Sequence, residues 1–347
     1  MQDTYDNSGK DGLKPDNDFG GTGKETGNDF TAGTGKKKKR FSFLINILLF
    51  VLTFFTTTIA GVGWLNADPY QLENFQLGIT YSVLMLLVIS THEFGHYFAA
   101  RIHKIDVTLP YYIPFPFLFL NPFGTMGAVI KMKTRMQSRK SLFDIGVAGP
   151  IAGWVTSMII LTIGYVTLPS IDYIYKIHPE YQNTGMLTTG LTFGNNLVFL
   201  FFEKIFSMKH GVFVPPMNEI YHYPFLCVGW FGLLITSLNM MPVGQLDGGH
   251  ISYAMFGGKS KYIGYTVFYL LVLFGILGIL PLLNIKLDIG SLNWLVWALL
   301  IFFVIKIKHP PICYDMDEPL GTFRTATGWF AYFIFIVSFC PIPISEL

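Results

Sequence analysis

Charge is what this 347-residue chain has least of: Asp, Glu, Lys and Arg together make up 13% of it, against about 25% in soluble globular proteins. That scarcity excludes an ordinary water-exposed surface. Cysteine is nearly missing as well. Cys227, Cys313 and Cys340 stand far apart with no CxxC pair, which excludes a disulfide framework and a thiolate metal cage. A net charge of +2 is too small to call for a nucleic-acid partner. There is no internal repeat, and no segment is large enough for an additional soluble domain. What the chain does have is apolar bulk. Hydrophobic residues make up 51% of it, and Phe occurs 33 times.

Residues 1–40 stand apart from this pattern. They are rich in Gly, Asp, Asn and Lys, and hold too little apolar surface to fold alone. We read them as a disordered tail that ends in the basic run Lys36 to Arg40 and is not a secretory signal, because no apolar core follows a short basic start. The run abuts an apolar stretch from Phe41, so it reads as a topological anchor.

Crossing the hydrocarbon core takes about 20 apolar residues. Stretches 41–64, 75–100, 142–168, 225–241, 262–283, 292–305 and 328–340 are the candidates. The expected fold is therefore all-α: a polytopic membrane domain over 41–347, with six or seven spans in a lipid bilayer. Placing Lys36 to Arg40 in the cytoplasm puts the other basic clusters on the same side, among them Arg101, Lys104, Lys131, Lys133, Arg135, Arg139, Lys140, Lys306 and Lys308. That agreement is what the positive-inside rule demands. Residues 105–135 hold four prolines and an aromatic run, which excludes a regular helix. The segment is too apolar for a solvated loop. It reads as a re-entrant or interfacial element with a short strand or hairpin, tolerated at that depth only against protein or a wet cavity. Residues 191–206 read as a partly helical interface element on the opposite side.

The chemistry sits at His92-Glu93-Phe94-Gly95-His96. On a helix the two histidines lie one turn apart on one face, so their imidazoles can converge on one metal ion. Glu93 is near enough to act as a base without taking a ligand position. Polar side chains inside a span are costly and usually functional. A catalytic zinc site needs a third protein ligand, and Asp247 is the distinctive candidate. It follows Pro242, which breaks the fourth span, and precedes Gly248 and Gly249, which let the backbone pass close to another element. The topology puts Asp247 at the same depth as the histidines. Two imidazoles and a carboxylate suit one Zn²⁺ per chain, although Fe²⁺ or Co²⁺ fits the same ligands.

With these residues in place, the chain resembles the site-2 protease family of intramembrane metalloproteases. Their H-E-x-x-H stands at His92 to His96, and their N-x-x-P-x-x-x-L-D-G runs from Asn239 through Pro242 to Leu246, Asp247 and Gly248. The glycine-rich stretch 141–153 is similar to the span that lies between the two motifs. The resemblance covers about 75–324, without a PDZ domain, and His309-Pro310-Pro311 is similar to the archaeal and chloroplast-type branch. It implies zinc on His92, His96 and Asp247, Glu93 as the catalytic carboxylate, and Asn239 holding the substrate backbone or the oxyanion. Gly149 and Pro150 are implied packing residues. His103, His222, His250 and His309 read as loop or interface residues without a metal role. The expected activity is hydrolysis of peptide bonds in or beside membrane-spanning segments of protein substrates. The rival readings are a membrane metal-ion transporter and a silent relative that binds membrane segments without cutting them. The tail lacks an organelle-targeting pattern, which makes a bacterial plasma membrane the default location.

Overall fold

The computed structural model describes residues 31–117, 121–134, 136, 138–185, 190–208, 212–283, 285, 289–311 and 317–346. The tail through residue 30, Arg135 and Cys313 lie outside the described residues. The chain divides into two units, Met1–Ser42 and Phe43–Leu347. Helix α1 is drawn from Thr31–Trp64, so its path starts ten residues ahead of the expected apolar boundary.

The second unit is a helical membrane protein. Among the described residues, four helical segments are long and apolar enough to cross a bilayer: Phe43–Trp64, Leu72–Ile102, Arg139–Val166 and Asp247–Leu277. They contain α2 (Phe75–Ile102), α3 (Arg139–Val166), and the nearly continuous pair α8 (Asp247–Phe256) and α9 (Ser260–Leu277). The extramembrane stretch after α3 carries α4 (Asp172–Ile177), α5 (Tyr181–Thr184), β3 (Leu191–Phe193) and α6 (Leu197–Ser207). The other expected spans are shorter: α7 (Pro224–Asn239), α10 (Asn293–Leu300) with a π turn at Ile301–Ile305, and α11 (Thr322–Ser338).

Shortness has a reason in α7. At about 1.5 Å per residue its 16 residues reach only ~24 Å. Leu226, Val228, Trp230, Phe231 and Leu233 are all fully buried. A helix that is apolar all round and covered all round is the core of the bundle. Lipid is as apolar as leucine, so what holds α7 is close packing rather than transfer from water. It packs on α2 and α3, and α3 in turn packs on α2 and α8. The fifth span ends earlier than its apolar run. Helix α9 stops at Leu277, and Leu280–Leu283, with Pro281 inside, forms a tight 3₁₀ turn. A proline removes an amide donor and cannot continue the helix.

The proline-rich segment is a hairpin. Strand β1 (Tyr111–Pro114) pairs antiparallel with β2 (Thr125–Val129), with an irregularity between Tyr112 and Pro114. It lies against protein. Asn46 of α1 donates to the Pro110 carbonyl (2.8 Å), the Ser90 and Tyr112 hydroxyls are 2.6 Å apart, and Trp64 donates to the Pro122 carbonyl (3.1 Å). These bonds supply what irregular backbone lacks in lipid. Helix α6 begins with an Asn196 cap on the Phe199 amide (2.9 Å). It packs Phe202 and Phe206 against Tyr165. Strand β3 pairs with β4 (Ile344–Glu346) near the end of the chain, a pairing of distant segments that the sequence did not announce.

Candidate metal centre

Helix α2 presents His92 and His96 on one face, four residues apart. Both are buried, at 6% and 7% exposure. Across from them α8 begins at Asp247. The His92 and His96 Nε2 atoms are 3.1 Å apart, and each lies 3.3 Å from Asp247 Oδ2. Three ligand atoms with these spacings match the face of a tetrahedron whose centre lies about 2.0–2.1 Å from each corner, the usual Zn–N and Zn–O length. His96 Nδ1 donates to the Ile145 carbonyl of α3 at 2.6 Å. That bond fixes the tautomer, so Nε2 carries the lone pair that faces Asp247. The donor set thus fits a single divalent cation.

Small residues make the convergence possible. After the break at Pro242 a new helix starts at Asp247 itself. A Cβ on Gly248 would overlap the Met240 carbonyl, and one on Gly249 would overlap that of Gly244. Only glycines let the first turn of α8 lie on the backbone that follows α7. On α3, a Cβ at Gly149 would run into the His96 ring, and one at Gly153 would press on His92 at 3.3 Å. The packing role implied for Gly149 is therefore packing against the His96 ring.

The far end of α8 is held as firmly. Arg139 at the start of α3 donates to the Ala254 carbonyl (2.5 Å) and the Met255 carbonyl (2.9 Å) at the end of α8, where a cation also suits the helix dipole. Asp144 of α3 accepts two bonds from Arg324 of α11, both 2.8 Å, and faces His103 Nε2 at 2.8 Å. Lys140 pairs with Glu318. These contacts fix the helix that carries the carboxylate relative to the helix that carries the imidazoles.

A cavity of about 580 Å³ opens onto the triad, and Glu93, Asn121, Asn239 and Gln245 are among its lining residues. Glu93 is 8% exposed, and Ile130, just past β2, lines the same cavity. The hairpin therefore reaches the site. Of the residues singled out in sequence, His92, His96 and Asp247 meet within bonding distance of one ion, and Glu93 and Asn239 line the same cavity. His250 also lines the cavity but turns away from the triad, with Nδ1 2.7 Å from His309 Nε2. His309 in turn stacks on Tyr253 and directs its Nδ1 to the Pro310 carbonyl at 2.6 Å. Burial lowers the His309 pKa to about 4, so the ring is neutral near pH 7.

Sequence reasoning missed Arg139, Arg324, Asp144 and the Ile145 carbonyl. The glycine spacing of Gly146, Gly149 and Gly153, one face of α3, was the visible signal for that helix. Nothing in the sequence marks Ile145, because any residue offers a carbonyl.

The profile described as peptidase family M50 matches residues 80–280. The chain is 28% identical over 278 residues to the probable zinc metalloprotease EGY2, chloroplastic, of Oryza sativa subsp. indica, covering 78% of this chain and 44% of that protein. It is 26% identical over 328 residues to the probable zinc metalloprotease EGY1, chloroplastic, of Oryza sativa subsp. japonica, covering 87% and 51%. With the EGY1 protein of Arabidopsis thaliana it shares 27% identity over 273 residues, covering 79% and 44%. The chain thus spans about half the length of these curated relatives. No solved structure matches it. The family profile covers both halves of the triad and more than half of the sequence, and the chain belongs to peptidase family M50.

Proposed function

We propose that this chain is an intramembrane zinc metalloprotease that cuts peptide bonds within or next to membrane-spanning segments of protein substrates. The observation that carries the reading is the triangle of His92, His96 and Asp247 ligand atoms with Glu93 on the wall of the same cavity. The names of the relatives as zinc metalloproteases support the choice of metal.

His92, His96 and Asp247 hold the metal in this reading. When bound, it supplies a Lewis acid that polarises a carbonyl and makes water more acidic. Glu93 takes a proton from the attacking water and returns it to the departing amine nitrogen. Asn239, at the end of α7, offers its side-chain amide to the substrate backbone or to the oxygen on which negative charge develops. The substrate is a membrane helix whose carbonyls are tied into its own hydrogen bonds. It must unwind locally before attack, so segments with Gly, Pro or Asn near the cut are preferred.

The basic loops support an orientation with the N-terminus and the active-site end of the bundle in the cytoplasm. The relatives are named as chloroplastic, against the bacterial plasma membrane expected from the sequence. Fractionation of the source cell decides between these membranes. The activity is tested with the purified chain in lipid and a membrane-spanning peptide. Cleavage that stops on adding a zinc chelator and returns with zinc supports the protease. An uncut peptide together with zinc flux across sealed vesicles would replace it with a transporter, and an uncut but bound peptide without flux would replace it with a silent binder.

A further inference from the structure

A second group of two imidazoles and a carboxylate lies at the other end of α7. Asn239 closes that helix on the side of the first triad, whereas Glu219 precedes and His222 ends the 3₁₀ turn Ile220–His222 that leads into its start. His178 joins them from the end of α4. The His178 and His222 Nε2 atoms are 3.0 Å apart, and Glu219 Oε2 lies 3.6 Å from His222 Nε2 and 3.9 Å from His178 Nε2. Glu219 and His222 are each 1% exposed.

Three observations bear on what these atoms face. First, His222 Nδ1 lies 2.9 Å from the Trp64 carbonyl, which can only accept, so Nδ1 carries the proton and Nε2 the lone pair. Second, His178 Nδ1 lies 3.1 Å from Glu180 Oε1, which assigns its proton the same way. Two nitrogen lone pairs then point at each other across 3.0 Å, a repulsive arrangement unless something positive lies between them. Third, Glu219 Oε1 accepts from the Tyr181 hydroxyl at 2.8 Å, while the buried Oε2 on the side of the histidines has no hydrogen-bond partner. A buried carboxylate oxygen without a partner is costly.

We infer that His178, Glu219 and His222 form a second divalent-cation site, of zinc type by its ligands, on the face of the bundle opposite the Asp247 triad. It ties the end of α4 to the start of α7 and, through the His222 to Trp64 bond, to the end of α1. Its role is structural: it pins the extramembrane segment between α3 and α7 onto the bundle. Sequence reasoning gave His222 no metal role and did not single out His178 or Glu219. The inference does not depend on the proposed protease activity.

The test is the zinc content of the full-length chain, purified in detergent and equilibrated with Zn²⁺. Wild type should hold close to two zinc ions per chain. Asp247→Ala, His178→Gln and Glu219→Gln should each hold about one, and Asp247→Ala combined with His178→Gln none. Added zinc should still raise the Tm of Asp247→Ala, and should no longer do so once His178→Gln is added, an answer that survives if a single variant folds poorly. A single zinc in wild type, lost with Asp247→Ala and untouched by His178→Gln, would overturn the second site. It would leave a proton shared between His178 and His222 in its place. Conversely, zinc lost on His178→Gln but kept on Asp247→Ala would uphold this site and remove Asp247 from the first.

Discussion

Two clusters in this molecule are built from the same side chains, two histidines and one carboxylate, yet only one has the surroundings of a catalyst. His92 and His96 come from adjacent turns of one helix, and a neighbouring glutamate shares their cavity with Asn239. His178, Glu219 and His222 come from the ends of two extramembrane elements, and the remaining Glu219 oxygen is taken by Tyr181. The first is framed by glycines that keep room around the imidazoles, the second by aromatic rings stacked on them, such as Tyr181 on His178. Ligand type alone therefore does not separate a reactive centre from a structural one. The adjoining base and the open volume do.

That contrast can be broken most forcefully at the ligands. His96→Ala should abolish cleavage altogether, whereas His178→Gln should leave cleavage measurable at low temperature and lower the Tm. Equal loss of cleavage in both, with both proteins folded, would erase the distinction. Gly149→Ala sharpens the comparison, because its methyl group lands on the His96 ring. We expect zinc affinity at the first triad to fall ~10–100-fold, the range for disturbing groups that orient metal ligands. The zinc bound by His178 should stay in place, as competition with a graded chelator would show. The smallest effect is expected at Arg324→Ala, which removes two charge-assisted bonds to Asp144 but touches none of the ligand atoms. Thermal unfolding should show a loss of ~1.5–3 kcal/mol, with zinc content unchanged at saturation.

How much of this could be read from the chain itself differs between the two clusters for a physical reason. The first was legible because a helix converts sequence spacing into geometry: residues four apart share a face, so His92 and His96 needed only α2 to form. Asp247 was legible through its proline and paired glycines, which report close backbone approach. The spans were legible from hydropathy, short runs included: α7 and α10 with its π turn follow the runs 225–241 and 292–305, while α11 starts six residues ahead of 328. Apolar runs record what is kept from water, and they do not distinguish a lipid-facing helix from one enclosed by its neighbours. The hairpin at Tyr111–Pro114 and Thr125–Val129 was expected, whereas its reach to the cavity beside Glu93 was not. The second cluster was illegible because His178 and His222 are 44 residues apart and meet only through tertiary packing. The clamps of Arg139 and Arg324 were hidden for the same reason, as were the many carbonyls that act as acceptors.

The most direct measurement compares wild type and Glu93→Gln in one preparation, with zinc and cleavage of a membrane-spanning peptide read from the same sample. Exchanging the carboxylate for an amide of the same shape leaves all three metal-facing atoms untouched and takes away only the proton acceptor. The expected result is unchanged zinc with cleavage reduced ~10²–10⁴-fold or more, the scale of general acid–base catalysis. Cleavage at the wild-type rate with zinc still bound would contradict the role of Glu93 and the mechanism built on it.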